Sequence, residues 1–230
     1  MRKNISVFLI LLSLFLLVAC SRDSQPKGPT ISIRVEGISE NLAFDAAYPL
    51  TQESSALSLV CGLLDDLDIP YDTDSGYLTA VANDKAGAFG GWDGFVFYLN
   101  GEESLASPEN VLPKDGDTLL FCYADLSGEP PTLLPKIEAT RGSAGLITLK
   151  VLGGKLIFQG ETPLMDYSAV ADAEITVNEV LYHTDESGNL VLDEALSKKS
   201  HITLQVEHYT EDGKPLLIRL EPGFTLELPR

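Results

Sequence analysis

The residues that most often perform catalysis do not form a recognisable catalytic pattern in this sequence. There is no G-x-S-x-G nucleophile elbow, no P-loop, no H-E-x-x-H pair and no C-x-x-C pair. Each of those patterns holds a nucleophile, a phosphate or a metal through residues at a fixed spacing. Acidic residues do lie close together at several places, but 34 Asp and Glu side chains in 230 residues form pairs by chance. The sequence therefore favours a binding or adaptor protein over an enzyme.

Two acidic segments and three histidines are the candidates for metal ligation. The segment 72–76 (D-T-D-S-G) begins like a calcium loop but lacks the later oxygen ligands and the closing glutamate. Asp115 and Asp117 flank a glycine in a segment typical of a hairpin turn. No two histidines are spaced for one helix face, and no cysteine completes a zinc pattern. These histidines are His183, His201 and His208. We therefore predict no metal site.

Cys20 stands where a cysteine can accept lipid. Two basic residues precede an apolar run at 7–18, which is shorter than the roughly 20 residues that a membrane-spanning helix needs. The run ends in Leu17-Val18-Ala19-Cys20, which resembles the lipobox of bacterial lipoproteins. The resemblance implies cleavage before Cys20 and transfer of a diacylglyceryl group to its thiolate, and two acyl chains give stable anchoring. We expect the mature protein on the outer face of a bacterial membrane; an ordinary secretory signal is the alternative.

The most specific stretch of the sequence is a glycine-rich approach to an aromatic strand. Gly90-Gly91-Trp92-Asp93-Gly94 leads into F-V-F-Y-L, and the Asn100-Gly101 turn ends that strand. A later L-P-K-D-G-D segment follows at 112–117. Together these elements resemble the transcobalamin-like C-terminal domain family, over about residues 31–125. That family takes its name from the small β-rich domain that closes over the corrin ring in animal vitamin B12 carriers.

The resemblance implies an aromatic ligand-binding surface at Phe89, Trp92 and Tyr98. Its candidate ligand is a corrinoid such as cobalamin, or another small, flat molecule, and no other cofactor is expected. The sequence departs from the animal carriers because nothing in it could form their large helical domain. A polypeptide or cell-wall partner is a second kind of ligand. The rival interpretation packs Trp92 into a core and makes the protein a structural or adhesive surface adaptor.

The amino-acid composition restricts the kinds of partner that the protein can bind. The formal net charge of −18 opposes binding to nucleic acid and to anionic lipid headgroups. With Cys20 lipidated, Cys61 and Cys122 remain as an even pair in an exported protein. They form a possible disulfide, or two separate buried thiols.

Turn-forming segments divide the chain into two halves. We predict a signal peptide at 1–19, a lipidated tether at 20–30, a small α+β domain at 31–126, a linker at 127–134 and an all-β domain at 135–230. The linker carries S-G-E-P-P-T, which is a proline-stiffened joint. The predicted fold class is therefore mostly β, with a β-grasp-like domain of one helix followed by a β-sandwich.

The elements of the first half follow from periodicity. Strict alternation at 31–35 predicts a half-buried strand. A helix is expected at 52–67, with Thr51 as its N-cap. Its apolar stripe consists of Leu57, Val60, Cys61, Leu64 and Leu67. Further strands are expected at 77–82, 95–99 and 118–123.

The second half contains short strands separated by turn signals, which indicates a sandwich. The expected strands lie at 146–152, 155–158, 174–177, 180–183, 190–192, 202–208, 216–220 and 224–228, with a possible helical turn at 192–196. The hairpin at 173–190 resembles immunoglobulin-like or carboxypeptidase-regulatory-like modules. Those modules serve as spacers and adhesive stalks on cell surfaces, and the resemblance carries no functional residue.

Replacing Cys20 by Ser tests the anchor. We expect Cys20→Ser to leave the membrane fraction when cells are fractionated, because a serine hydroxyl cannot replace the thiolate that accepts the lipid. Cys61→Ser leaves the attachment site intact and should stay in the membrane. Retention of Cys20→Ser in the membrane pellet would contradict a lipid anchor.

Overall fold

The computed structural model describes residues 28–51 and 53–230. The predicted signal peptide, Cys20 and most of the tether lie outside these residues. The described chain is 48% strand and 9% helix, which confirms the mostly-β class. Within it, no helix is long and apolar enough to cross a membrane.

The elements are given in chain order. The strands are β1 (Thr30–Glu36), β2 (Asn41–Pro49), β3 (Tyr71–Asp74), β4 (Tyr77–Val81), β5 (Asp84–Lys85), β6 (Gly94–Leu99), β7 (Glu102–Glu103), β8 (Thr118–Ala124), β9 (Leu134–Arg141), β10 (Ile147–Gln159), β11 (Thr162–Ala169), β12 (Glu174–Val177), β13 (Val180–His183), β14 (Asn189–Val191), β15 (His201–Glu207) and β16 (Thr225–Glu227). The helices are α1 (Ala56–Asp66) and the short α2 (Glu194–Ser197), and Pro108–Asn110 forms a 3-10 turn.

The first half is built on a sheet with the order β2-β1-β8-β6-β7. β1 and β8 run parallel, whereas the other neighbours in this sheet are antiparallel. A parallel pair needs a long crossover, and the chain between β1 and β8 supplies it with α1 and the separate β3-β4-β5 sheet. This arrangement places β6, the aromatic strand, next to the central pair.

The two faces of this sheet pack against different partners because side chains alternate along a strand. On β8, Phe121 and Tyr123 belong to the core cluster that includes α1. Cys122, between them, faces the other way and packs with Tyr98 of β6 and Ile218 of the second half. One face therefore carries the helix, and the opposite face carries the second half of the chain.

The predicted start of the helix is wrong by four residues. α1 begins at Ala56, and its N-cap is Ser55, whose side chain accepts a hydrogen bond from the Ser58 amide at 3.2 Å. Glu53 adopts a φ of 67°, which is incompatible with a helix. The buried stripe of α1 consists of Ala56, Leu59, Val60, Leu63 and Leu64. Of the predicted stripe, Leu57 and Cys61 are half-buried and Leu67 is exposed.

In the second half, β10 is the organising strand. It pairs with β9 along one edge and with β14 and β11 along the other. The expected strands at 146–152 and 155–158 are in fact this single strand, because Gly153 and Gly154 do not form a turn. A Cβ atom at position 153 would overlap the Leu133 side chain, so glycine here permits close packing.

A second sheet has the order β13-β12-β15-β16, and a core cluster unites residues from both sheets of this half. The predicted strands at 174–177 and 180–183 are confirmed as β12 and β13. The predicted strand at 216–220 is wrong: this segment makes one isolated bridge, Leu133 to Leu217. Its residues serve the contact between the halves instead.

A buried arginine from the second half joins it to the first. Arg219 is 6% exposed; its Nε donates to Oε2 of Glu36 at 3.1 Å, and its Nη2 lies 2.9 Å from the same oxygen. Nη2 also donates to the Gly37 carbonyl at 3.0 Å, and Nη1 donates to the Tyr209 hydroxyl at 2.7 Å. Because these donors have fixed directions, the guanidinium specifies one orientation of the two halves.

The linker is fixed beside this contact. Lys214 Nζ lies 3.1 Å from Asp125 and donates to the Pro130 carbonyl at 3.0 Å. The Thr132 hydroxyl donates to the Pro215 carbonyl at 2.7 Å and accepts from the Asp125 amide at 3.0 Å. The predicted linker is therefore bonded to the second half at Pro130, Thr132 and Leu133.

Removing the arginine should destabilise the protein strongly. Arg219→Met removes the cation that is hydrogen-bonded to the buried Glu36 carboxylate and leaves only Arg34, 3.6 Å from its other oxygen, as an ion-pair partner. We expect a loss of about 2–5 kcal/mol in the free energy of unfolding. Lys198→Met is the control, since the Lys198–Glu194 pair is exposed and contributes about 0.3–0.5 kcal/mol. Urea unfolding measures both variants. An Arg219→Met loss no larger than that of Lys198→Met would contradict the role of this contact.

Candidate functional site

The loop between β5 and β6 is organised around a buried carboxylate. Asp93 is 3% exposed and accepts hydrogen bonds from the amides of Phe89 and Gly91, at 3.0 and 2.9 Å. It also accepts one from the Tyr123 hydroxyl, which lies within the first core cluster. The Ala88 amide donates to the same hydroxyl at 3.1 Å. A short loop with this many internal bonds has little freedom to rearrange.

These bonds outweigh the cost of burying the carboxylate. Burial by itself would raise the pKa of Asp93, but the Tyr123 hydroxyl and the two loop amides hold that pKa below its usual value. Burial and the neighbouring carboxylate both raise the pKa of Tyr123. Asp93 is therefore ionised and Tyr123 neutral at physiological pH, the states in which the bond between them is strongest.

Phe89 attaches the loop to the core. Its ring packs edge-on against Tyr123, with the ring centroids 6.2 Å apart, and Phe95 makes a similar contact at 5.5 Å. Phe89 is half-buried against the first core cluster. It holds the loop in place against the core.

Trp92 projects from this fixed loop into solvent. The indole is 93% exposed, although the residues on both sides of it are bonded in place. A fully exposed tryptophan contributes nothing to folding through burial, and tryptophan is among the residues that most often dominate binding interfaces. The loop thus presents an apolar side chain at a defined position.

A large apolar cleft opens on one side of Trp92. Its volume is about 760 Å³, which lies within the range of about 300–1,000 Å³ seen for small-molecule sites. The walls come from β4, β6 and the segment after β7. The side chains that define it include Tyr77, Leu78, Phe95, Phe97 and Leu105.

A smaller cleft of about 340 Å³ lies on the other side of Trp92, between the two halves. The first half contributes Tyr98, and β10 of the second half contributes Leu156 and Phe158. Four residues line both clefts and form the ridge between them. The ridge consists of Trp92, Val96, Glu103 and Leu105.

The structure brings together two of the three predicted ligand-binding residues. Trp92 and Tyr98 line the smaller cleft, and Trp92 also lines the larger one, whereas Phe89 lines neither. Tyr98 is 3% exposed and packs between the halves, so it is the floor of the cleft. Sequence reasoning missed Glu103, Leu105 and Phe158. No local pattern marks them, because they become neighbours only when the halves pack together.

Cys61 and Cys122 are free thiols. Cys61, a residue of α1, packs against the first core cluster, whereas Cys122 lies on the opposite face of the sheet, between the halves. Burial raises the pKa of both thiols. The possible disulfide suggested by the cysteine count is not formed in this structure.

The carboxylates of the acidic turn at 115–117 accept hydrogen bonds from backbone amides. Asp115 accepts from the Thr30 amide at 2.8 Å, and Asp117 accepts from the Lys114 amide at 2.7 Å. Within residues 28–51 and 53–230, no three His, Cys, Asp or Glu side chains are grouped as metal ligands would be. These carboxylates act in turn formation.

Comparison with family models, curated proteins and solved structures found no match to this chain.

Replacing Asp93 tests whether its carboxylate fixes the loop. Asp93→Asn puts an amide group where only acceptors fit, and we expect a loss of about 1–3 kcal/mol in the free energy of unfolding near neutral pH. The contribution of Asp93 is full above its unfolded pKa of about 3.9. It is lost as the pH falls through the lowered folded value, so the two proteins should converge in acid.

Asp166→Asn on the exposed face of β11 is the control and should change stability little at any pH. Urea unfolding at several pH values measures all three proteins. An Asp93→Asn deficit that persists unchanged in strong acid would contradict the assignment.

Proposed function

We propose that this protein is a surface lipoprotein that binds a small, flat, largely apolar ligand in the paired clefts beside Trp92. The observation that carries the proposal is the exposed indole, held by the Asp93 bonds on the ridge that both clefts share. Apolar walls with a few placed polar groups are typical of ligand sites. A corrinoid is the first candidate, from the resemblance of residues 31–125 to the transcobalamin-like family.

The finer architecture belongs to the same proposal. We infer that residues 31–126 are a β-grasp-type domain, supported by the parallel β1–β8 pair at the centre of the sheet and by α1 on one face. We infer a β-sandwich for residues 135–230, supported by a core that draws on both sheets of this half. In this arrangement, the sandwich supplies the second wall of the smaller cleft. The animal carriers supply that wall with a helical domain.

Attachment to the membrane rests on the lipobox-like segment ending at Cys20. A lipid anchor followed by a short tether would keep the clefts close to the membrane surface, where a captured ligand could be passed to another protein. The acidic net charge of −18 keeps the protein body from adsorbing to anionic headgroups.

One observation favours the adaptor alternative. β13 is the edge strand of its sheet, and it exposes the apolar side chains of Val180 and Leu181. An exposed apolar edge strand can pair with a strand of another protein. An adaptor of this kind would use the second half for assembly and would need no small-molecule site.

Calorimetric titration with cobalamin and cobinamide tests the proposal. We expect the soluble protein from Ser21 onward to bind at least one of them with micromolar or tighter affinity. Trp92→Ala should weaken binding by at least about tenfold, because an exposed aromatic anchor typically contributes more than 1.4 kcal/mol. Leu112→Ala is the control, since Leu112 is also exposed but lines neither cleft.

The ligand-binding function and the adaptor function predict opposite results in this titration. No heat change at high micromolar concentrations of both compounds would contradict corrinoid binding. Equal losses for Trp92→Ala and Leu112→Ala would show that binding does not take place at the clefts.

A further inference from the structure

The charged groups of the clefts narrow the class of ligand. In the larger cleft, the charged lining residues are Asp74, Asp93 and Glu103, and no Lys or Arg lines it. Asp93 is already hydrogen-bonded within the loop. Asp74 ends β3, and its carboxylate accepts a hydrogen bond from the Ser75 hydroxyl. Glu103 remains as the carboxylate on the ridge between the clefts.

Glu103 is half-buried, and its surroundings differ from those of the buried carboxylates Glu36, Asp93 and Asp125. Glu36 and Asp125 each face a cation, and Asp93 accepts three hydrogen bonds. Among the described residues, Glu103 has neither an ion-pair partner within 4.0 Å nor a hydrogen bond to its side chain. Burial is the cause that raises the pKa of its carboxyl. Such a group is stabilised by a cation that binds beside it.

The alternation of side chains along β7 places the Glu103 carboxylate on the ridge. In β7, Glu103 is paired with Tyr98, and the preceding Glu102 with Leu99. Because successive side chains point to opposite faces, Glu102 is exposed while Glu103 lines both clefts. The neighbouring ridge side chains are Trp92, Val96 and Leu105. The indole of Trp92, which lines the same clefts, provides a second group that attracts cations.

We infer that the ligand of the Trp92 clefts is a cation with a flat, apolar body. The body packs on the ridge, and the positive group lies against Glu103. This inference rests on the proposed function and specifies the ligand. The smaller cleft carries Lys155, but the larger cleft offers a bound cation only acidic neighbours. In the larger cleft, an anion of the same shape would meet Glu103 with like charge and with no Lys or Arg among the lining residues.

Three probes of one shape and different charge test the inference. They are 2-naphthylmethylammonium, 2-naphthylmethanol and 2-naphthoate, titrated at physiological ionic strength with the emission of Trp92, the single tryptophan, as the readout. We expect the ammonium compound to bind about tenfold more tightly than the alcohol, since a charged hydrogen bond in a partly buried site contributes about 1.5–3 kcal/mol, equivalent to that fold-change or more. The carboxylate should bind most weakly.

Glu103→Gln should remove the advantage of the ammonium compound while leaving the affinity for the alcohol unchanged. Glu102→Gln removes the same charge from the adjacent, exposed position and should keep that advantage, which separates local recognition from the overall negative charge. Equal affinity of the native protein for the ammonium compound and the alcohol would overturn this inference but leave the clefts as a binding site. Failure of all three probes to bind would overturn the proposed function as well.

Discussion

The structure depends on the buried contact between Arg219 and the end of β1. The guanidinium contacts Glu36, the Gly37 carbonyl and Tyr209, so it bonds to both halves of the chain at once. The alternating side chains of the first sheet make this possible, because one face is left for the second half after α1 has covered the other. The smaller cleft exists only while this packing persists, since its two walls belong to different halves.

The site reverses the usual distribution of polarity. A carboxylate, Asp93, is buried in the loop, and the indole beside it is exposed. The buried charge is compensated by backbone amides and by Tyr123, and this compensation makes the loop rigid enough to hold Trp92 in solvent. Rigidity of this kind lowers the entropy that is lost when a ligand binds. Glu103 on the same ridge is left without such compensation, which distinguishes a group that shapes the site from one that is available to a ligand.

Local patterns predicted much of the fold, and tertiary contacts decided the rest. Alternation at 31–35 and the turns around β12 and β13 were sufficient to predict those strands. The sequence did not reveal that Gly153 serves close packing, or that 216–220 forms contacts between the halves rather than a strand, because both depend on residues far away in the chain. Trp92 was predicted as a site residue from the resemblance of residues 31–125 to the transcobalamin-like family. Phe158 could not be predicted, because β10 reaches the ridge only through packing of the halves.

The most direct test of a binding site shared by the two halves is the ¹H–¹⁵N spectrum of the mature chain during titration with cobinamide. The account predicts that the Trp92 indole signal and the amide signals of Leu105 and Phe158 shift together, with one apparent affinity. These residues line the clefts from both halves, whereas the exposed edge strand β13 should not respond. A spectrum that does not change, or changes confined to β13, would contradict it.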